Sequence, residues 1–216
     1  MKRIFDLFIS LIALLILSPL LIPIGILLWL TGEHYVFYTQ KRVGQDGKEF
    51  DLIKFATMLK NSPNIGSGDV TLHRDPRVLP VGRFLRSSKI NEIPQLLNIL
   101  LGHMSFVGPR PLTPRVFNYY TAEAKSIVIK MKPGLTGAGS IVFRDEEMFI
   151  SKSELPWEEC IKQEVMPRKA ALEKWYFQHQ NFITDLLLIF ITSWVIVFPR
   201  STLIVKIFKT MPKISV

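Results

Sequence analysis

The sequence predicts an α+β protein, predominantly helical, with a membrane-associated segment at each end and a basic lobe between them. Three observations predict it. Hydrophobic residues make up 48 % of the 216 residues and gather into two blocks near the termini, a distribution that favours a membrane protein. The net charge is +9 and falls mostly between and beside those blocks, which suits an anionic partner. Between the blocks, strand-like runs around Asp46-Gly47 and a helix signal at 91–102 occur in one lobe. At this length one domain with accessory segments is expected, divided as 1–32, 33–181 and 182–216.

The first block runs from Leu7 to Gly32 without a charge, about 39 Å as a straight helix against a hydrocarbon core of about 30 Å. Pro19 and Pro23 each remove a helical N–H, which predicts a bend near the middle. Ser18 is placed to return its hydroxyl to the carbonyl of Leu14 or Leu15. Lys2 and Arg3 precede the block while Lys41, Arg42 and Lys48 follow it, so a simple crossing leaves one basic flank outside, against the positive-inside bias. A hairpin entering one leaflet and returning, and a signal anchor kinked at proline, both fit these residues.

The body opens with Phe37–Gln40 and Phe50–Phe55 around QDGK, a hairpin signal. Alternation along the second strand predicts an exposed Lys54. The 61–69 stretch NSPNIGSGD reads as a mobile loop. The 132–140 stretch KPGLTGAGS lacks the spacing of a phosphate loop and reads as turns. RDEE at 144–147 reads as solvated charge or metal ligands. Residues 157–180 predict a surface helix broken at Pro167. The second apolar block, 182–199, carries Thr184, Asp185, Thr192 and Ser193 about two turns apart, and Lys206, Lys209 and Lys213 follow. Amphipathic helices lying in the headgroup layer fit this pattern, with a transmembrane helix as the alternative. Cys160 is the only cysteine, which rules out an internal disulfide and a cysteine-based zinc site and suits a cytosol-facing lobe. His34, His73, His103 and His179 have no metal-ligand spacing.

From His73 to Arg115 stand Arg74, Arg77, Arg83, Arg86, Lys89, Arg110 and Arg115 against only Asp75 and Glu92. Within that stretch Asn91, Glu92, Pro94, the apolar run 93–101 and Gly102 spell a helix with a cap, an acidic first turn and a terminal glycine. On that reading Asn91 caps amides and Glu92 answers the helix dipole. The same geometry with arginines nearby also suits a bound phosphate. A nucleic acid is not the expected partner, because no groove-reading or base-stacking module is recognisable.

The blocks KRIFDLFISLIALLILSPLLIPI, YTQKRVGQDGKEFDLIKFATM, RDPRVLPVGRFLR, NEIPQLLNILLGHMSFVGPRPL and KPGLTG occur in one order along nearly the whole chain. In this the chain resembles the bacterial sugar transferases known as monotopic phosphoglycosyl transferases. The resemblance implies a monotopic membrane protein: an N-terminal re-entrant helix broken at Ser18-Pro19, a small cytosolic lobe with a β-hairpin, and interfacial amphipathic helices at the end. It implies an enzyme on the cytoplasmic face of the bacterial inner membrane. That enzyme moves a phosphosugar from a UDP-sugar to polyprenyl (undecaprenyl) phosphate, releases UMP and starts polysaccharide assembly. It further implies Mg2+ at Asn91 and Glu92, catalytic roles for those two residues, and substrate contacts from Lys54, Arg83, Arg86, His103, Arg110 and Pro111.

This chain has Asn91 where the family's pattern places a nucleophilic Asp, His103 where GDMS is usual, and Ala56 where KFRTM has Arg. An amide is a poor nucleophile. The sequence therefore admits an active divergent enzyme, using Glu92 or direct transfer, and a catalytically impaired homologue or trapped variant that binds UDP-sugar or polyprenyl phosphate without turnover. The particular sugar, the glycan and self-association are left open.

Overall fold

A computed structural model describes residues 1–199 and 201–214. The chain is mostly helical with two small sheets. Helix α1 (Lys2–Leu30) is followed by the hairpin β1 (Phe37–Val43) and β2 (Glu49–Phe55), then by α2 (Pro80–Ser87), α3 (Gln95–Leu101) and β3 (Ser105–Val107). After α4 (Pro114–Phe117), α5 (Ala122–Val128) and β4 (Gly134–Thr136) come α6 (Ala138–Val142), α7 (Glu146–Lys152), α8 (Trp157–Cys160), α9 (Met166–His179), α10 (Phe182–Val197) and α11 (Leu203–Ile207).

The N-terminal block forms one helix, starting earlier than its uncharged run and continuing through Pro19 and Pro23. The Ser18 hydroxyl donates to the Leu15 carbonyl at 2.8 Å, satisfying the acceptor that Pro19 cannot reach. By length and hydropathy α1 alone among the described helices is able to cross a membrane. Yet it is fastened to the body from end to end. Lys2 pairs with Asp185 at 2.8 Å, Arg3 donates to the carbonyls of Ile99 and Leu100, and Asp6 accepts from the Phe106 amide. Its middle, at Ala13, Leu14 and Leu17, packs on Phe50, Leu96 and Met104, and its far end buries Leu28 with Phe55 and Leu85. Ile4, Phe8, Leu15, Ile16, Ile22 and Trp29 stay exposed.

The hairpin forms as the sequence predicts, with Asp46 at φ 56° in its turn. The KPGLTGAGS stretch departs from its reading as turns: β4 lies parallel to β3. Glycine makes this pairing possible, since a Cβ on Gly134 would meet the Gly108 nitrogen at 2.1 Å. Residues 157–180 also depart from the predicted surface helix. A π-helical turn at 161–165 separates α8 from α9, Pro167 falls in the first turn of α9, and Leu172, Trp175 and Tyr176 are core residues. The backbone stays helical from 157 to 179, and the wider turn at 161–165 just before Pro167 accommodates the ring that cannot donate, so the proline does not end the helix. In α10 most of the polar stripe turns to the body: Thr184 and Asp185 are buried and Thr192 bonds Thr136 at 2.6 Å, while Ser193 stays exposed. The predicted mobile loop at 61–69 is tied down. Arg77, 3 % exposed, reaches the carbonyls of Ser62, Ile65, Gly68 and Val70 and the Asp75 carboxylate.

Candidate active site

The site grows from three neighbouring elements. In the hairpin Tyr38 pairs with Lys54, Gln40 with Leu52 and Arg42 with Phe50, and directly opposed residues share one face. That face holds the buried Phe50 and Leu52, so Lys54 lies inward and not outward as expected from alternation. Its side chain is 19 % exposed.

The segment after α2 supplies the acid. Lys89 takes a left-handed conformation (φ 59°), Ile90–Glu92 makes a 3-10 turn, and Pro94 leads into α3, which ends at Gly102 (φ 88°). The terminal glycine matches the sequence reading. The cap does not: Asn91 makes no capping bond, because the tight turn and Pro94 stand between it and α3. Asn91 is instead 4 % exposed, and its Oδ1 has no hydrogen-bond partner. A buried acceptor left unpaired is costly, so this oxygen is a reserve of binding capacity.

Glu92 Oε1 receives Arg110 Nη2 at 2.8 Å and Lys54 Nζ at 3.3 Å. Arg42 completes the group, donating to the Pro111 carbonyl at 3.2 Å and to Gln40, while its Nε is buried without a partner. Burial drives the Lys54 ammonium down to about 8 despite Glu92, and drives Arg42 down to about 10 with Arg110 adding repulsion. Burial would raise Glu92, but Arg110 and Lys54 outweigh it and hold the carboxyl well below its usual range. Glu92 in turn raises Arg110. Two cations thus pair with one ionised carboxylate and a third, Arg42, lies close by, while Asp69 and the Glu146–Glu147 pair act on the group from farther out.

The remaining candidates lie around this core. Arg86 is held by Glu147 at 2.7 Å, and the neighbouring Glu146 pairs with the buried Lys169 at 2.6 Å. Arg83 is exposed on α2 with no partner among the described residues. His103 stands past the opposite end of α3, its ring 5.7 Å from Phe50. Pro111 contributes its carbonyl to Arg42, and Ala56 is buried behind β2. The sequence reading missed Arg42, treating Lys41-Arg42 as a basic flank. Strand alternation was the signal, since it puts Arg42 on the same face as Gln40.

No group of three or more His, Cys, Asp or Glu side chains is arranged around a common point among the described residues, so there is no all-protein metal cage. Mg2+ asks for less: one or two hard oxygens together with phosphate oxygens and water. The Glu92 carboxylate and the unpaired Asn91 Oδ1 are donors of that kind, and the residues fit such an ion arriving with a diphosphate.

Comparison with known proteins gives the family. Exopolysaccharide production protein ExoY of Sinorhizobium fredii is 31 % identical over 205 residues, covering 88 % of this chain and 83 % of the relative. Undecaprenyl-phosphate galactose phosphotransferase of Salmonella typhimurium is 29 % identical over 210 residues, 91 % of this chain and 40 % of that protein. UDP-glucose:undecaprenyl-phosphate glucose-1-phosphate transferase of Klebsiella pneumoniae is 35 % identical over 144 residues, 65 % of this chain and 30 % of that protein. The match to the bacterial sugar transferase family runs over residues 1–199, and the chain belongs to that family.

Proposed function

We propose that the chain transfers a phosphosugar from a UDP-sugar to polyprenyl phosphate at the cytoplasmic face of the bacterial inner membrane. The products are a polyprenyl diphosphosugar and UMP. The observation that carries this reading is the pairing of Lys54 and Arg110 with the single carboxylate of Glu92, with Arg42 close by. A half-buried cluster with more cations than carboxylates at its centre is suited to a diphosphate, whose charges it neutralises as a bond to the sugar-bearing phosphorus is made and the bond to UMP breaks. The relatives named for undecaprenyl-phosphate sugar transfer support the same reaction class.

In this site Arg110 and Lys54 leave Glu92 ionised and exchange part of their contact with it for phosphate oxygens. Arg42 adds charge from behind. The Asn91 amide oxygen and Glu92 would hold magnesium, which when bound would supply further neutralisation of the diphosphate. Asn91 has no charge to attack phosphorus. Two routes remain: attack by Glu92 and then displacement by the lipid phosphate, or direct attack by the lipid phosphate oxygen. In the first, UMP leaves as the bond from Glu92 to phosphorus forms, and the lipid phosphate then displaces the Glu92 carboxylate; in the second, UMP leaves as the lipid phosphate oxygen bonds to phosphorus. The anchoring of both ends of α1 to one body supports a helix that dips into one leaflet and returns, with the exposed apolar residues of α1 toward lipid.

A transfer assay with UDP-sugar, polyprenyl phosphate and magnesium tests this reading. Turnover by the native chain that is lost in Glu92→Gln supports it. The neutral Asn91 favours a second reading, a binding protein without turnover. That reading is supported if the native chain binds UDP but is inert, and Asn91→Asp gains turnover. Absence of binding to UDP and to lipid phosphate overturns both.

A further inference from the structure

We propose that a small apolar cavity behind the cation cluster seats the first isoprene unit of the lipid phosphate. This rests on the reading that a polyprenyl phosphate is the acceptor. The cavity, about 150 Å³, lies between the end of α1, the residue after β2 and the start of α2, with Leu28, Ala56, Leu79 and Val81 in its walls. Of the polar residues in its lining, Thr31 donates its hydroxyl to Leu27 at 2.6 Å, Tyr35 donates to Met58 at 3.2 Å, and Glu33 is exposed to solvent. Enclosed apolar voids of about this volume take up small hydrocarbons, and this one, partly open, leaves a way in for a chain. A five-carbon branched unit is of that size.

Position selects the occupant. Ala56 follows Lys54 by two residues in an extended segment, a reach of about 7 Å, comparable to the step from a phosphate to the first branched unit of its chain. The core beside the cavity joins Leu28 and Phe55 to Val81 and to Ile90, the neighbour of Asn91. Ile26, Leu27, Trp29 and Leu30, which flank the cavity residue Leu28 on α1, are exposed. Lys54, the cavity and this apolar stretch of helix are thus joined through short lengths of chain, as an anionic head, a first branched unit and a hydrocarbon tail require. Gly32 keeps the wall thin, at φ +59° with Leu79 only 2.9 Å from where a Cβ would stand.

The full chain in nanodiscs distinguishes a branched from a straight chain when geranyl phosphate and n-decyl phosphate, equal in carbon number and headgroup, are titrated with partition into empty nanodiscs subtracted. The native chain is expected to bind geranyl phosphate about tenfold more tightly, since one or two fitted methyl groups discriminate to that extent. Val81→Phe and the milder Ala56→Val, which fill the cavity, should bring the two ligands to equal affinity while leaving UDP affinity within about twofold, which also reports that each variant is folded. UDP binding with equal affinity for the two lipids in the native chain, or a preference that survives both filling variants, overturns the inference alone. Failure to bind UDP and both lipid phosphates overturns it together with the proposed function.

Discussion

Arg77 and Arg110 come from the same basic stretch and each meets a carboxylate, yet their surroundings differ. Arg77 is saturated: four carbonyls, the Ser67 hydroxyl and Asp75 take up its guanidinium, and the side chain is sealed from water. Arg110 shares one Glu92 oxygen with Lys54, lies near the under-bonded Arg42, and is 36 % exposed. The first arrangement builds a loop. The second holds positive charge in reserve. Hydrogen bonding capacity left over, and not the number of arginines, separates a structural from a ligand-ready cation.

The largest expected effect is at the carboxylate that Lys54 and Arg110 share. Glu92→Gln should lower transfer by about 10³-fold or more and tighten UDP binding by removing the competing anion, as read by the transfer assay and by calorimetry. Weaker UDP binding in that variant would mean that Glu92 organises the pocket instead of competing for it.

Arg77→Met sharpens the contrast from the other side. Removing one partner of a buried pair leaves Asp75 uncompensated, and a loss of about 3–5 kcal/mol is expected in denaturant unfolding, with faster proteolysis at 61–70. UDP affinity of the folded fraction should stay unchanged. A selective loss of UDP binding with stability intact would erase the distinction between the two arginines.

Lys54 gives the site a pH signature. Its ammonium titrates near 8 in the fold against 10.5 as an unburied lysine. Diphosphate affinity should therefore fall about five- to tenfold as pH rises from 7 through 9.5, and Lys54→Arg should flatten that profile. Stability moves the other way. Between pH 8 and 10.5 the unfolded chain binds more protons than the folded one, so this residue's contribution to stability rises with pH. A flat native binding profile would remove Lys54 from the anion contacts.

Arg83 should matter least. It is exposed and unpaired, and Arg83→Ala is expected to weaken UDP binding by about two- to threefold, while a loss of a hundredfold would move the donor site toward α2.

The legible features were those carried by local rules. Asp46-Gly47 announced the hairpin, Gly102 the end of α3, Ser18 its own bond to Leu15, and the ordered motif blocks the family. Asn91 and Glu92 were singled out as a pair, and Asn91's expected capping role gave way to a buried oxygen without a partner among the described residues. The misreadings share a cause. Lys54 and Arg42 take their environment from a hairpin face covered by α3, and the loop at 61–69 owes its order to an arginine that follows it. The parallel pairing of β3 with β4 joins segments about thirty residues apart.

The sequence by itself determined the apolar first helix, the hairpin, the terminal glycine of α3, the surplus of basic residues and the family, because each depends on neighbouring residues or on motif order. Only the tertiary structure decided which cations are consumed by the fold and which remain available. That distinction depends on desolvation and on hydrogen-bond partners brought from distant segments, and neither is encoded in any short stretch of chain.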